Sequence, residues 1–277
     1  KIDRILNDNI FEGINIHYFG GEPLLNIPVL IYLDENIKKI TDKIGIVYKA
    51  FLTTNGSMLS KELLQKVKFS SIQLTFDGLE KTHDRLRVSD HFHFKEEIEL
   101  IENIMNFSQA KVLLRTNICK ENKDEIIALH KYIFEKFGNE RIEINPNRTI
   151  KYHQDDSFEM LSVQEYAEVA YQIKLLWSEQ KGKFELPVPR STPCKFPYGN
   201  AYAISPEGYC TFCSGSMDQE KKYFFDVDIE NKKMFSVRKE CKKCNILPLC
   251  LGGCIIQYNL RAGACTYEKY ELKNILI

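Results

Sequence analysis

Eight of the nine cysteines fall in the last third of this 277-residue chain, at spacings that suit metal-bound thiolates. The core run is Cys241-x2-Cys244-x5-Cys250-x3-Cys254. Ahead of it stands Cys194, then thirteen residues, then Gly208-x4-Cys213 with Cys210 inside; Cys265 follows the run. Thiolates at this density, with no secretory signal in view, point to iron–sulfur clusters. Cys-x2-Cys pairs also bind zinc, so two zinc sites are the alternative. A disulfide framework suits a reducing compartment poorly. A second chemical signal lies far upstream, where Phe19-Gly20-Gly21-Glu22-Pro23-Leu24 closes an apolar run. Glycines there let backbone come close to a ligand.

The elements that must position these groups alternate strand and helix. Strands are expected at residues 14–19, 47–52, 71–76, 111–118 and 141–145, the last closed by a turn at Asn145-Pro146-Asn147. Helices are expected from Pro28 to about Lys43, at 61–67 behind a Ser60 cap, at 94–107, at 124–137 before Gly138, and from Ser162 to about Gln180. Strands separated by such helices imply a parallel sheet, with ligands at the carboxyl ends of the strands. Thr53-Thr54-Asn55-Gly56 and Asp77-Gly78 are two of those ends. Beyond Lys181 the pattern changes. Pro187, Pro189 and Pro193 mark a linker, and a hairpin is signalled at Ser205-Pro206-Glu207-Gly208. The short segments that follow bury too little core to stand without metal or disulfide staples.

Composition sets the outer limits. Lys+Arg and Asp+Glu both number 38, which argues against a nucleic-acid partner held by bulk charge. No run of about 18 apolar residues is present, so no membrane span is expected. With no signal peptide in view, a cytoplasmic location is expected. The first residue is Lys1, so a preceding segment is expected as well.

The two signatures together resemble the radical S-adenosylmethionine (radical SAM) enzymes with a C-terminal SPASM domain, which are peptide and protein maturases. The matching residues are Phe19 to Leu24, then Leu74-Thr75-Phe76-Asp77-Gly78 with His83-Asp84 and Arg87, and the cysteine array. The resemblance spans nearly the whole chain. It implies an α/β fold: a partial (β/α)6 TIM-like barrel lacking its first strand at 1–185, and a small irregular cysteine-rich SPASM domain at 186–277. It also implies a Cys-x3-Cys-x2-Cys segment before Lys1, for a third 4Fe–4S cluster, because this chain has no cysteine upstream of Gly20.

By the same resemblance, Cys241, Cys244, Cys250 and Cys265 hold an outer auxiliary 4Fe–4S cluster. Cys194, Cys213 and Cys254 hold an inner one, whose fourth position is Cys210 or is open to substrate. Gly20, Gly21 and Glu22 approach S-adenosylmethionine, and Thr75 approaches its ribose. Thr54, Asn55 and Asp77 lie at strand ends facing the same cavity. Arg115, with Asn117 on the same strand, needs a charged partner that a cofactor carboxylate would supply. His83 and Asp84 read as structural, and Cys119 as a small buried apolar residue. No catalytic residue is assigned.

The implied activity is hydrogen abstraction from a peptide or protein substrate by a 5′-deoxyadenosyl radical, with flavodoxin or ferredoxin as electron donor. Formylglycine-forming maturases carry an Asp after the cysteine matching Cys213, where this chain has Ser214. They also carry a cysteine near Lys195, Phe196 and Pro197, where none stands. A thioether or carbon–carbon crosslink is therefore the expected product, and formylglycine the alternative. The alternative of another class is a non-catalytic iron–sulfur or zinc protein that binds a peptide.

Overall fold

A computed structural model describes residues 11–138, 141–151, 157–182, 188–189, 201–211, 222–223, 239–254 and 265–275. Its contacts divide the chain into two compact units, Lys1–Thr149 and Ile150–Ile277. The boundary between the compact units precedes the long helix that begins at Val163.

The first unit runs β1 (Gly13–Tyr18), a 3-10 turn (Pro23–Asn26), α1 (Ile27–Ile44), β2 (Val47–Thr53), α2 (Lys61–Lys66), β3 (Phe69–Thr75), α3 (Glu80–Leu86), α4 (Phe94–Phe107), β4 (Lys111–Ile118), α5 (Lys123–Phe137) and β5 (Ile142–Arg148). The strands form one sheet in the order β1-β2-β3-β4-β5, and every neighbouring pair is parallel. Parallel pairing forces a crossover between strands, and the helices supply it. All five carboxyl ends therefore lie along one edge of the sheet.

The two faces of that sheet differ in chemistry. Ile72, Leu74, Val112, Leu114, Ile118 and Ile142 are buried and share one face, by register and by the two-residue strand period. Helix α5 covers this face, since His130 Nε2 lies 3.1 Å from Thr116 Oγ1. The other face carries Thr53, Gln73, Thr75, Arg115, Asn117, Asn145 and Asn147. The Asn145 side-chain amide donates to Gln73 Oε1 at 3.0 Å, although β4 lies between their strands. Adjacent strands are about 4.8 Å apart, so this reach shows that the polar face is concave.

Local signals explain most boundaries. Asn26 and Ser60 cap α1 and α2 through side-chain oxygens, and Pro28 sits in the first turn of α1. Gly45 ends α1 in the left-handed region. One expectation is corrected. Asn145-Pro146-Asn147 is not a turn, because β5 continues through it to Arg148. Proline lacks the N–H that a central ladder needs, and β5 is the last strand of the sheet, where that loss is tolerated.

The second unit contains α6 (Val163–Lys181), a small antiparallel sheet of β6 (Ala203–Ile204), β7 (Tyr209–Thr211) and β8 (Lys222–Tyr223), a 3-10 turn (Lys239–Lys243), α7 (Leu247–Cys250) and α8 (Glu268–Ile275). Ser162 and Glu165 form a reciprocal capping box at the start of α6. Helix α8 packs on α6, with the Tyr166 and Tyr267 rings edge to face at 5.3 Å and Lys174 paired to buried Glu271. The hairpin expected at 205–208 is present between β6 and β7. Among the described residues no helix is long and apolar enough to cross a membrane.

Candidate functional site

At the carboxyl end of β1 the chain turns through Gly20 and Gly21. Gly20 has φ +151°, which side-chain-bearing residues rarely adopt, and an added Cβ at either glycine would meet no heavy atom within 4 Å. The turn is therefore bare backbone beside open space, as a cofactor cradle requires. Glu22 fixes it. Its Oε1 accepts from the Leu24 N–H at 3.0 Å and the Thr54 hydroxyl at 2.7 Å. Its Oε2 accepts from the Asn55 N–H at 2.7 Å. One carboxylate thus ties the β1 turn to the loop after β2.

This geometry refines the expected roles. Glu22 and buried Thr54 hold each other. The Asn55 side chain accepts from the Ser57 N–H and hydroxyl, so it shapes its own loop. These three residues position the glycine turn, which keeps Gly20 and Gly21 as the groups with open access.

Asp77 is the next node, at the end of β3. Its Oδ1 accepts the Asn117 N–H at 3.0 Å, and its Oδ2 faces the Arg87 guanidinium at 3.4 Å. Its carbonyl accepts from the Asn122 amide at 2.8 Å, an amide that also reaches the Asn117 carbonyl. The carboxylate is thereby committed to joining β3, β4 and α3. His83 stands beneath it, with Nδ1 3.4 Å from the Asp77 backbone nitrogen and Nε2 3.1 Å from Glu97 Oε2. The His83 and Glu97 side chains are only 3% and 2% exposed, and the His83 ring packs against those of Phe76 and Phe94. Burial raises the Glu97 pKa, an effect that His83 partly offsets. Asp84 Oδ1 accepts the Phe94 N–H and so anchors the start of α4.

The concave face supplies the remaining groups. Thr75, Arg115 and Asn145 stand side by side across β3, β4 and β5, with Asn117 beside Asn147 one step further on. Arg115 Nε donates to Asn117 Oδ1 at 2.9 Å. Sequence reading missed His17, Gln73, Asn145 and Asn147 on this face. His17 shares it through its 2.8 Å contact with Thr53 Oγ1. The signal was present as polar residues at every second position, but a lone polar residue in a short strand also reads as ordinary solvent exposure.

In the second unit, tight turns carry Cys241, Cys244 and Cys250. The Cys244 N–H bonds the Cys241 carbonyl, the Leu247 N–H bonds the Cys244 carbonyl, and the Gly253 N–H bonds the Cys250 carbonyl. Cys241, Cys244, Cys250 and Cys265 line one small open hollow, backed by Ile246 and Leu247. These four are the residues expected to hold the outer cluster. These four, and Cys119, Cys210 and Cys254, are not joined in disulfides. Among the described residues no three metal-capable side chains converge on a single-ion site. Four thiols around a shared hollow fit four-thiolate ligation, whether of a 4Fe–4S cluster or of zinc. Cys254 does not line this hollow. Cys210 is buried on β7. Cys194 and Cys213, also expected as ligands, lie outside the described residues. Cys119 is buried after β4, its N–H held by Asn122.

No protein-family model matches the sequence, and no curated protein matches it. Solved structures share its fold. One is anSMEcpe, an anaerobic sulfatase-maturating enzyme, with bound AdoMet. It is 17% identical, with a TM-score of 0.71 over 99% of this chain and 81% of that one. The same enzyme with AdoMet and the Kp18Cys peptide gives 0.69 at 17% identity, over 99% and 85%. SuiB of Streptococcus suis bound to S-adenosylmethionine gives 0.59 at 17% identity, over 96% and 66%. The α/β architecture of five parallel strands is the partial barrel of these radical SAM structures.

Proposed function

We propose that the protein is a radical SAM maturase that acts on a ribosomally made peptide or protein and forms a thioether or carbon–carbon crosslink. The observation that carries this reading is the convergence of Cys241, Cys244, Cys250 and Cys265 on one hollow, in a chain that also folds as a radical SAM barrel. When bound, S-adenosylmethionine and the clusters would supply one-electron chemistry strong enough to break an unactivated C–H bond.

The protein's own residues bind, orient and shield. Gly20 and Gly21 offer bare backbone for the methionine end of S-adenosylmethionine. Glu22 and Thr54 hold that turn in place. Thr75, Arg115 and Asn117 offer hydroxyl, guanidinium and amide groups along one face for its ribose and carboxylate. Asp77 keeps β3 and β4 in register beneath them. The concave face would keep water from a reactive intermediate. Residues 1–185 would form the barrel and 186–277 the SPASM domain, with Cys194, Cys213 and Cys254 on the inner cluster and Cys210 as its candidate fourth ligand. Strand β1 ends the described sheet, and α1 beside it exposes Val29, Tyr32 and Leu33. These side chains form an apolar patch on that side of the sheet.

The likeness to anSMEcpe favours formylglycine formation as a second reading. Ser214, in place of the Asp of such enzymes, favours crosslinking. Anaerobic co-expression of the full-length protein with cysteine-containing precursor peptides tests the two. A crosslink removes two hydrogens and leaves no free aldehyde in the mass spectrum; formylglycine gives an aldehyde that reacts with hydrazides. Unmodified precursors with S-adenosylmethionine left intact would contradict both.

A further inference from the structure

We infer that His17, Phe19 and Phe51 form a subsite on the concave face that takes an aromatic or branched apolar side chain of the peptide substrate, next to the residue being modified. The inference rests on the reading of this protein as a peptide-acting radical SAM enzyme, and names the side-chain class that it selects.

The three rings form one cluster. His17 stands on β1 with Phe51 opposite it on β2. Their ring centroids are 6.2 Å apart, and the Phe19 ring lies 6.0 Å from that of His17. Interacting aromatic rings keep such separations. His17 Nε2 lies 2.8 Å from Thr53 Oγ1, which puts the cluster on the concave side of the sheet. Phe19 directly precedes Gly20, so the rings adjoin the bare glycine turn.

Phe19 is nevertheless 58% exposed. Other exposed apolar side chains lie elsewhere: Val29, Tyr32 and Leu33 on α1, and Val47 at the amino edge of the sheet, where β2 begins. Phe19 stands at the carboxyl edge, where parallel sheets hold their ligands. An aromatic face held open at that edge, with two further rings beside it, offers contact area to a ligand.

The concave face is divided in chemistry. Strands β3 and β4 present Thr75, Arg115 and Asn117, which suit the ribose and carboxylate of the cofactor. Strands β1 and β2 present rings. His17 keeps this half uncharged at pH 7, because burial lowers its pKa below 6.5. A polar side chain would give up water against these rings, whereas an aromatic or branched apolar one gains by burial. The adenine of S-adenosylmethionine is the competing occupant, but Thr75, the group offered to its ribose, stands two strands away from β1.

The test is equilibrium dialysis of the full-length reconstituted protein, with S-adenosylmethionine saturating and no reductant, against the peptides Gly-Gly-Phe-Cys-Gly-Gly and Gly-Gly-Ser-Cys-Gly-Gly. The phenylalanine peptide should bind roughly tenfold more tightly. Phe19→Ser should remove that preference and Phe19→Leu should reduce it, with circular dichroism showing which variants keep the fold. S-adenosylmethionine affinity, measured on the same samples, should change little. Equal retention of the two peptides by the wild type, or retention of neither, would overturn the inference. So would a preference undiminished in a folded variant, or a loss of S-adenosylmethionine affinity as large as the loss of peptide affinity, the mark of an adenine platform. A wild type that binds no S-adenosylmethionine would instead overturn the radical SAM reading itself.

Discussion

The carboxylate of Glu22 and the hydroxyl of Thr54 are bonded at 2.7 Å, joining two strand ends that are 32 residues apart in sequence. The same carboxylate takes the Asn55 N–H. Hydrogen bonds to a charged group contribute about 1.5–3 kcal/mol each. Glu22→Ala should therefore lower the melting temperature and weaken S-adenosylmethionine binding by roughly tenfold or more, as read by calorimetry. Glu22→Gln should retain part of both. A double-mutant cycle with Thr54→Val should show coupling, because the two groups share a bond. Additive effects would contradict the positioning role.

The buried pair His83–Glu97 should matter more to stability than any exposed ion pair. Removing one partner leaves an uncompensated polar group in the core, at a cost of about 3–5 kcal/mol. His83→Ala should lose stability on that scale in urea titrations. Lys38→Ala, at an exposed pair, should change little. Equal losses would show that the pair is more open than described.

His130 makes a pH prediction. Burial lowers its pKa from 6.5 to about 3. The folded state therefore binds its proton less readily than the unfolded state does. Its contribution is complete above pH 6.5 and is lost as pH falls from 6.5 towards 3, by up to about 1.4 kcal/mol per unit. His130→Leu should flatten this part of the stability profile relative to wild type. An unchanged slope would assign the acid sensitivity to the carboxylates.

Cysteine substitutions should sort by place. Cys244→Ser or Cys265→Ser should remove about four irons per chain. Cys119→Ser should leave iron unchanged, since that thiol is buried after β4, outside the hollow. Cys210→Ser should lower iron only if Cys210 completes the inner cluster.

Much of this was readable from the chain before its fold was known. Ser60, Pro28 and Gly138 carry local instructions, and the helices and strands begin and end within a few residues of them. Spacing alone would group Cys254 with Cys241, Cys244 and Cys250; it is the family resemblance that puts Cys265 in its place, and Cys265 is the one that lines the hollow with the other three. Long-range pairing was less legible. That Glu22 would spend both oxygens on Thr54, Asn55 and Leu24 depends on strand register, which a single motif does not contain. Asn145 was read as a turn former because of Pro146, whereas its place on an end strand made proline harmless. His17, Gln73 and Asn147 became site candidates only when the sheet showed which face was concave.

Iron, sulfide and zinc content after anaerobic reconstitution of this chain tests the central claim most directly. The account predicts about eight irons with matching sulfide, as two 4Fe–4S clusters on the cysteines of the second unit. About two zincs and no iron would contradict it and leave a zinc-stapled binding module.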